Sequence, residues 1–167
     1  RCLKEPDPLP KFLTDSQVRA LRDDFEQRVE AADNAAHRRD ALLDRACFYL
    51  LWQAGLRKGE VEDLRLEDLD LEGRRLTVRR GKGQLDRTVF LTDTVVSALT
   101  AYLAVRGLGP TDHVLLFRNQ AILKDLIHYR IKASGTRTGV PVYAHRLRHT
   151  CATQLLNAGC KITSIQK

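Results

Sequence analysis

The apolar residues of this chain fall at helical spacing along most of its length, with one interruption where they alternate. Val18, Leu21 and Phe25 recur on one helical face behind Thr14-Asp15-Ser16-Gln17, a Thr at the N-cap with Gln three residues on, so a first helix starts there. Glu30 to Asp40 is polar and alanine-rich and reads as a helix end or loop before the strongly apolar stretch Ala41 to Ala54, which Gly55 terminates. That second helix, carrying Cys47, Phe48, Leu50 and Leu51, is the expected axis of the core. A short helix is expected to start near Lys58. Between Leu69 and Leu91 the period changes to two: Leu76 and Val78 alternate with Thr77 and Arg79, Gly81-Lys82-Gly83 supplies a turn, and Thr88 to Leu91 leads back. This predicts a two-stranded hairpin. Thr92 caps a helix bearing Val95, Val96, Leu99 and Leu103, which Gly107-Leu108-Gly109-Pro110 ends. Two further helices are expected around Ala121 to Ile131 and around His145 to Asn157, the latter closed by Ala158-Gly159; Ile162 and Ile165 read as the first turn of another. The pattern as a whole predicts an α+β fold, mainly α-helical, with a small antiparallel sheet or hairpin.

A length of 167 residues suits one domain with a single core. Pro6, Pro8 and Pro10 make residues 1–13 an extended lead-in, read as a linker from a preceding domain, with the domain proper over 14–167. The chain neither starts with Met nor contains one, which reads as an excised piece of a longer protein. No run approaches the roughly 18 apolar residues of a membrane span, and no signal-peptide stretch opens the chain. A soluble cytoplasmic protein with no membrane partner is therefore expected. The four cysteines, Cys2, Cys47, Cys151 and Cys160, lack a C-x-x-C spacing and read as reduced thiols rather than disulfides or zinc ligands.

A formal net charge of +7, spread over both Lys and Arg, favours a polyanionic partner, nucleic acid first. With aromatics at only 6%, a stacking mode of single-strand binding is excluded. The chain has no phosphate-cradling G-x-x-x-x-G-K-[ST], no G-x-G-x-x-G and no G-x-S-x-G, so nucleotide-driven and serine-hydrolase chemistries lack their loops. No cofactor is implied.

Three places carry candidate chemistry. Arg57 follows the helix-ending Gly55, with Glu60 three residues on to orient its fork, and could present two parallel donors to phosphate oxygens. Taken alone, a surface arginine with a local charge pair is the plainer reading. Lys82, between two glycines at a hairpin tip, can reach outward and give a proton to a leaving oxygen; a lysine that blunts an exposed strand is its plainer reading. His145-Arg146-Leu147-Arg148-His149 sets His145, Arg148 and His149 near one face at a helix start, where free N–H groups favour anions. A zinc pair at His145 and His149 would support a metal hydrolase, but Arg146 stands where such a site carries its Glu, and cations repel a divalent metal. A structural role is an even competitor for His149.

In this order, A-G-L-R-K-G-E-V around Arg57, R-R-G-K-G around Lys82, and H-R-L-R-H followed by T-C-A-T-Q-L-L-N-A-G resemble the catalytic domain of tyrosine recombinases, the phage-integrase family, over nearly the whole chain. The resemblance implies site-specific cutting and rejoining of double-stranded DNA through a 3′-phosphotyrosine, with self-association into a synaptic tetramer. It makes Arg57 and Arg148 the clamp on the scissile phosphate, Lys82 the general acid, His145 an aid to proton transfer, and Glu60 the support of the first arginine. It also makes residues 1–13 the link from a core-binding domain. In the family a His or Trp and then the nucleophilic tyrosine follow in the chain. None of Tyr49, Tyr102, Tyr129 or Tyr143 has that place in the order, so the 167-residue chain is expected not to cleave DNA by itself. A non-catalytic DNA-binding or regulatory relative, keeping the basic face without the chemistry, is the alternative.

Overall fold

A computed structural model describes residues 12–80 and 83–159. The described residues form six α-helices, a three-stranded sheet and a two-stranded one: α1 (Asp15–Ala31), α2 (Ala35–Trp52), α3 (Lys58–Glu62), β1 (Leu69–Asp70), β2 (Arg75–Val78), β3 (Arg87–Phe90), α4 (Asp93–Arg106), β4 (Leu116–Phe117), β5 (Gln120–Ala121), α5 (Leu126–Thr138) and α6 (Ala144–Asn157). The fold is thus mainly helical with small antiparallel sheets, as the pattern predicts. Residues 1–11, Gly81, Lys82 and residues 160–167 lie outside the described residues. Most of the expected linker, the tip of the hairpin and the start of the last expected helix fall among them.

The apolar stretch of α2 is the axis. It packs against α1, α3, α4, α5 and α6, and Ala46, Phe48, Leu50 and Leu51 have no exposed surface. Burial of that many apolar side chains supplies the main driving force, roughly 1.5–3 kcal/mol for each large one. Phe25 of α1 stacks on Phe48 with ring centroids 4.8 Å apart, and Trp52 packs against Phe48 while its indole N–H donates to Gln154 of α6 at 2.9 Å. The two described cysteines, Cys47 and Cys151, are buried free thiols.

Caps fall where the sequence places them. Thr14 accepts from the Gln17 N–H, the Gln17 side chain accepts from the Thr14 N–H, and Thr92 accepts from the Val95 N–H. Elsewhere the boundaries move. The polar stretch before Ala41 is helical from Ala35, because Asn34 accepts from the His37 N–H and alanine needs no buried partner to stay helical. The helix expected over 121–131 instead runs from Leu126 to Thr138. Its first half is displaced by a tight hairpin, β4–β5, whose two turn residues Arg118 and Asn119 take left-handed φ of 51° and 63°. The second half continues because Ser134 donates to Asp24 of α1 at 2.7 Å and Gly135 lets the chain double back: a Cβ there would stand 2.6 Å from the Val140 carbonyl oxygen. The expected two-stranded hairpin has a third strand, β1, pairing Leu69 with Leu76 on the far edge of β2.

One buried cation has no sequence signature. Arg106, 7% exposed at the end of α4, donates to the carbonyls of Gly107, Thr111, His113 and Val114 and so orders the loop that returns to the sheet. Arg106→Met would keep the stem and orphan those acceptors. We expect a loss of about 1–3 kcal/mol in urea unfolding, with hydrogen exchange accelerated in residues 107–114 ahead of α2.

Candidate active site

The site begins where α2 stops. Gly55 takes a φ of +67°, a conformation costly for any residue with a Cβ, and turns the chain so that the Leu56 N–H bonds back to the Leu50 carbonyl at 3.1 Å. Leu56 is fully buried, which pins the strand of chain that carries Arg57 out to the surface. Arg57 caps α3 without a capping side chain of its own, and its N–H donates instead to Glu60 Oε2 at 2.8 Å. A helix of five residues is too short to persist alone. Val61 anchors it in the core and Lys58 ties it to Asp125 at 2.8 Å.

The first turns of α6 bring the second cluster to the same place. Leu147, Thr150 and Cys151 face inward, which leaves Arg148 lying along the α2 terminus, where its Nη1 donates to the Gly55 carbonyl at 2.9 Å. The Cys151 sulfur would sit 3.2 Å from a Cβ at residue 55, so α6 approaches this closely because residue 55 is glycine. His145 lies one turn before Arg148 and is exposed. Its Nε2 is 2.6 Å from that of His149, with the rings at 85°. One ring must donate and the other accept, so the two cannot both be imidazolium. Burial first, then the neighbouring His145 and Arg148 charges, pull the His149 pKa below its ordinary value.

Glu60 joins the two clusters. Its carboxylate stands 3.4 Å from Arg57 Nη1 and 3.8 Å from Arg148 Nη1, and it receives both Nη atoms of Arg87 at 2.6 and 2.7 Å. Burial would raise its pKa, but the Arg87 hydrogen bonds, the Arg57 N–H and the charges of Arg87 and Arg148 outweigh that and hold it at about 2. Arg148, half-buried, is lowered from its ordinary value by burial and then by the Arg57 charge, with Glu60 opposing.

Of the four sequence-derived candidates, the structure gathers Arg57 and Arg148 on Glu60 and sets His145 on the same helix face end as Arg148. Lys82 lies outside the described residues. Arg80 and Gln84, which flank its turn, line a cleft of about 370 Å³ together with Arg57, Glu60, Asp63, Asp68 and Arg79. Arg79 is already paired with Asp68 at 2.6 Å and Glu67 at 2.9 Å, whereas the Arg57 side chain is 61% exposed. Arg148 and His145 do not line the cleft, and Arg148 connects to it through Glu60. Among the described residues no group of three or more His, Cys, Asp or Glu could hold a metal ion. Nor is any helix among them long and apolar enough to cross a membrane.

Arg87 was not singled out from the sequence. The signal was present: on β3, Arg87 and Val89 are half-buried while Thr88 and Phe90 are exposed, so the alternation itself points a charged residue inward.

Residues 11–167 match the phage integrase family. The chain is 34% identical over 170 residues to tyrosine recombinase XerA of Pyrococcus furiosus, covering 98% of this chain and 54% of that protein. It is 35% identical over 178 residues to tyrosine recombinase XerC of Myxococcus xanthus, covering 98% and 55% respectively. It therefore spans about half the length of the curated relatives it matches. Among solved structures, XerA recombinase superposes with a TM-score of 0.80 at 28% identity, over 98% of this chain and 58% of that one. XerH site-specific recombinase bound to palindromic difH substrate, at 21% identity, shares the fold with a TM-score of 0.78 over 96% of this chain and 46% of its own. Two arginines from separate helical segments meeting on one carboxylate, in a chain matched over nearly its whole length, place this protein in the phage integrase family, with tyrosine recombinases as its relatives.

Proposed function

We propose that this chain is the catalytic part of a site-specific recombinase that cuts and rejoins double-stranded DNA through a 3′-phosphotyrosyl intermediate. The observation that carries the reading is the pairing of Arg57 and Arg148 across Glu60. Both guanidiniums face one carboxylate, shared with Arg87 and held at a pKa of about 2, so positive charge is fixed in place yet not fully spent. A phosphodiester has two non-bridging oxygens, and each arginine can serve one.

In the reaction a tyrosine oxygen attacks phosphorus, the bond to the 5′ oxygen breaks, and that oxygen takes a proton. Charge builds on the non-bridging oxygens in the transition state, where preorganised donors act most strongly. Arg57 and Arg148 supply them. Lys82 is the general acid for the leaving 5′ oxygen, and the Arg80 and Gln84 positions beside its turn support that role by facing the cleft that holds Arg57. His145, exposed and hydrogen-bonded to His149, moves the proton of the attacking phenol. One phosphoester replaces another, so no nucleotide is consumed.

The attacking phenol is assigned to none of the four tyrosines. Tyr49 and Tyr102 are buried, 3% and 0% exposed, with hydroxyls bonded to Glu26 and to the Leu116 backbone. Tyr129 and Tyr143 are exposed but precede Arg148 in the chain, unlike the tyrosine of the family's order. Residues 1–13 as a linker from a core-binding domain, and self-association on DNA into a synaptic tetramer, belong to the same proposal and rest on family membership.

The complete reading frame carrying this chain, given a nicked suicide duplex of its target site, is expected to form a covalent protein–DNA adduct that the 167-residue chain alone does not form. Arg57→Ala or Arg148→Ala should slow adduct formation by about 10²–10³-fold. Adduct from the complete protein at an unchanged rate in both variants would sink the reading. Duplex binding by the chain should weaken with salt with a log–log slope of about −0.9 per phosphate contacted.

A separate expectation concerns acid. The folded-state pKa of Glu60, about 2, lies below its ordinary 4.5, so its contribution to stability is fully present above pH 4.5 and is lost as the pH falls toward 2. Other paired carboxylates titrate there too, so the informative quantity is the difference between wild type and Glu60→Gln. Urea midpoints should converge as pH is lowered through that window; a constant gap would show that Glu60 is not held ionised.

A further inference from the structure

Arg87 is the tightest partner of Glu60, and the chemistry proposed above gives it no task. Its two Nη atoms occupy both carboxylate oxygens at 2.6 and 2.7 Å, the side-by-side arrangement a guanidinium and a carboxylate prefer. Both side chains are enclosed, 13% and 14% exposed. The Arg57 and Arg148 guanidiniums, by contrast, reach the same carboxylate only at 3.4 and 3.8 Å, at and beyond the limit of a hydrogen bond.

That ordering of distances has an electrostatic consequence. A carboxylate shared by three guanidiniums leaves two positive charges uncompensated; shared by two, it leaves one. Without Arg87, both oxygens of Glu60 would also be open to a closed, side-by-side pair with Arg57 or Arg148, since a half-buried carboxylate seeks the strongest available donors. Either change subtracts from what the site can offer an anion. We propose that Arg87 is a positioning residue of the phosphate clamp: by filling both oxygens of Glu60 it keeps Arg57 and Arg148 open, together carrying the surplus charge that a phosphodiester requires. The inference rests on the reading of those two arginines as phosphate-binding groups. Arg87 also opens β3, the strand that pairs with β2, so the same ion pair roots that strand on α3 beside Arg57.

A simple staple between β3 and α3 would account for the ion pair but not for its charge logic, and the two roles differ in sign when Glu60 is also changed. If Arg87 only staples, Glu60→Gln cannot restore anything in an Arg87→Ala background. If Arg87 keeps Glu60 from capturing the clamp, removing the carboxylate's charge restores the surplus and frees the arginines.

The test titrates inorganic phosphate into the chain, following the arginine Nε–H resonances by NMR, for wild type, Arg57→Ala, Arg87→Ala and the double variant Glu60→Gln with Arg87→Ala. Arg87→Ala is expected to weaken phosphate binding by at least about tenfold, and the double variant to recover most of that loss. Wild-type affinity in Arg87→Ala, or a double variant as weak as Arg87→Ala, overturns the inference. The outcome for Arg57→Ala separates the two levels: unchanged phosphate binding there removes the clamp reading itself, whereas an effect at Arg57 with none at Arg87 removes only this proposal. Should Arg87→Ala fail to fold, Arg87→Gln, alone and with Glu60→Gln, carries the same comparison, because a neutral amide keeps a hydrogen bond at the position without its charge. In the complete protein the same pair of variants should change the rate of the adduct-forming step rather than the apparent affinity for duplex.

Discussion

Like charges do not gather without a counter-ion, and Glu60 is the counter-ion of this structure. Arg57, Arg87 and Arg148 come from a helix cap, a strand and a helix that are far apart in sequence, and each reaches the same carboxylate. Burial would push a carboxyl toward its neutral form; here the surrounding guanidiniums reverse that and hold its pKa at about 2. The balance matters in both directions. A stronger carboxylate presence would neutralise the arginines, and its absence would leave three cations repelling one another within one small region. One carboxylate against three guanidiniums is cohesive and still leaves the region positive.

That arrangement needs a rigid reference, and α2 provides it. Its apolar side chains are enclosed by five other helices, so its end cannot shift without repacking the core. The site hangs from that end through backbone groups: the Gly55 carbonyl holds Arg148, and the Arg57 N–H holds Glu60. Main-chain donors and acceptors have no rotamers to lose, so they position these charged side chains at low entropic cost. The same helix shows what burial does to a carboxyl with poorer compensation. Asp44, facing Arg130 of α5 at 2.8 Å, is pushed up to about 6 by burial despite that partner, where Glu60 is held down by several.

Much of this was legible in the sequence because it depended on local rules. N-caps at Thr14 and Thr92, the apolar run of α2, the stop at Gly55 and the alternation of β2 are all set by neighbours in the chain. The Arg57 and His145-to-His149 clusters were legible as residue types at a helix boundary. What escaped depends on contacts between distant segments or on turn chemistry without glycine. Arg118-Asn119 make a left-handed turn before α5; Asn119 suits that conformation, but Arg118 does not announce it as Gly would. Arg106 looks like a charge at a helix end until its carbonyl partners are assembled by the following loop. Arg87 belongs to the same class: its inward direction follows from alternation, but its partner on α3 does not.

The histidine pair completes the charge argument from the other side of Arg148. The two Nε2 atoms stand 2.6 Å apart, a distance at which one must donate and the other accept, so two imidazolium N–H groups cannot face each other there. His149 is the less exposed ring, and burial first, then its charged neighbours, lower its pKa from the ordinary value. The packing of Phe12 against His149, with ring centroids 6.2 Å apart, and the bond from the Leu13 N–H to Thr150 at 3.1 Å hold α6 from the N-terminal side. The region around Arg148 is therefore one in which every further positive charge is resisted by the protein itself, and a bound anion is the partner that relieves that resistance.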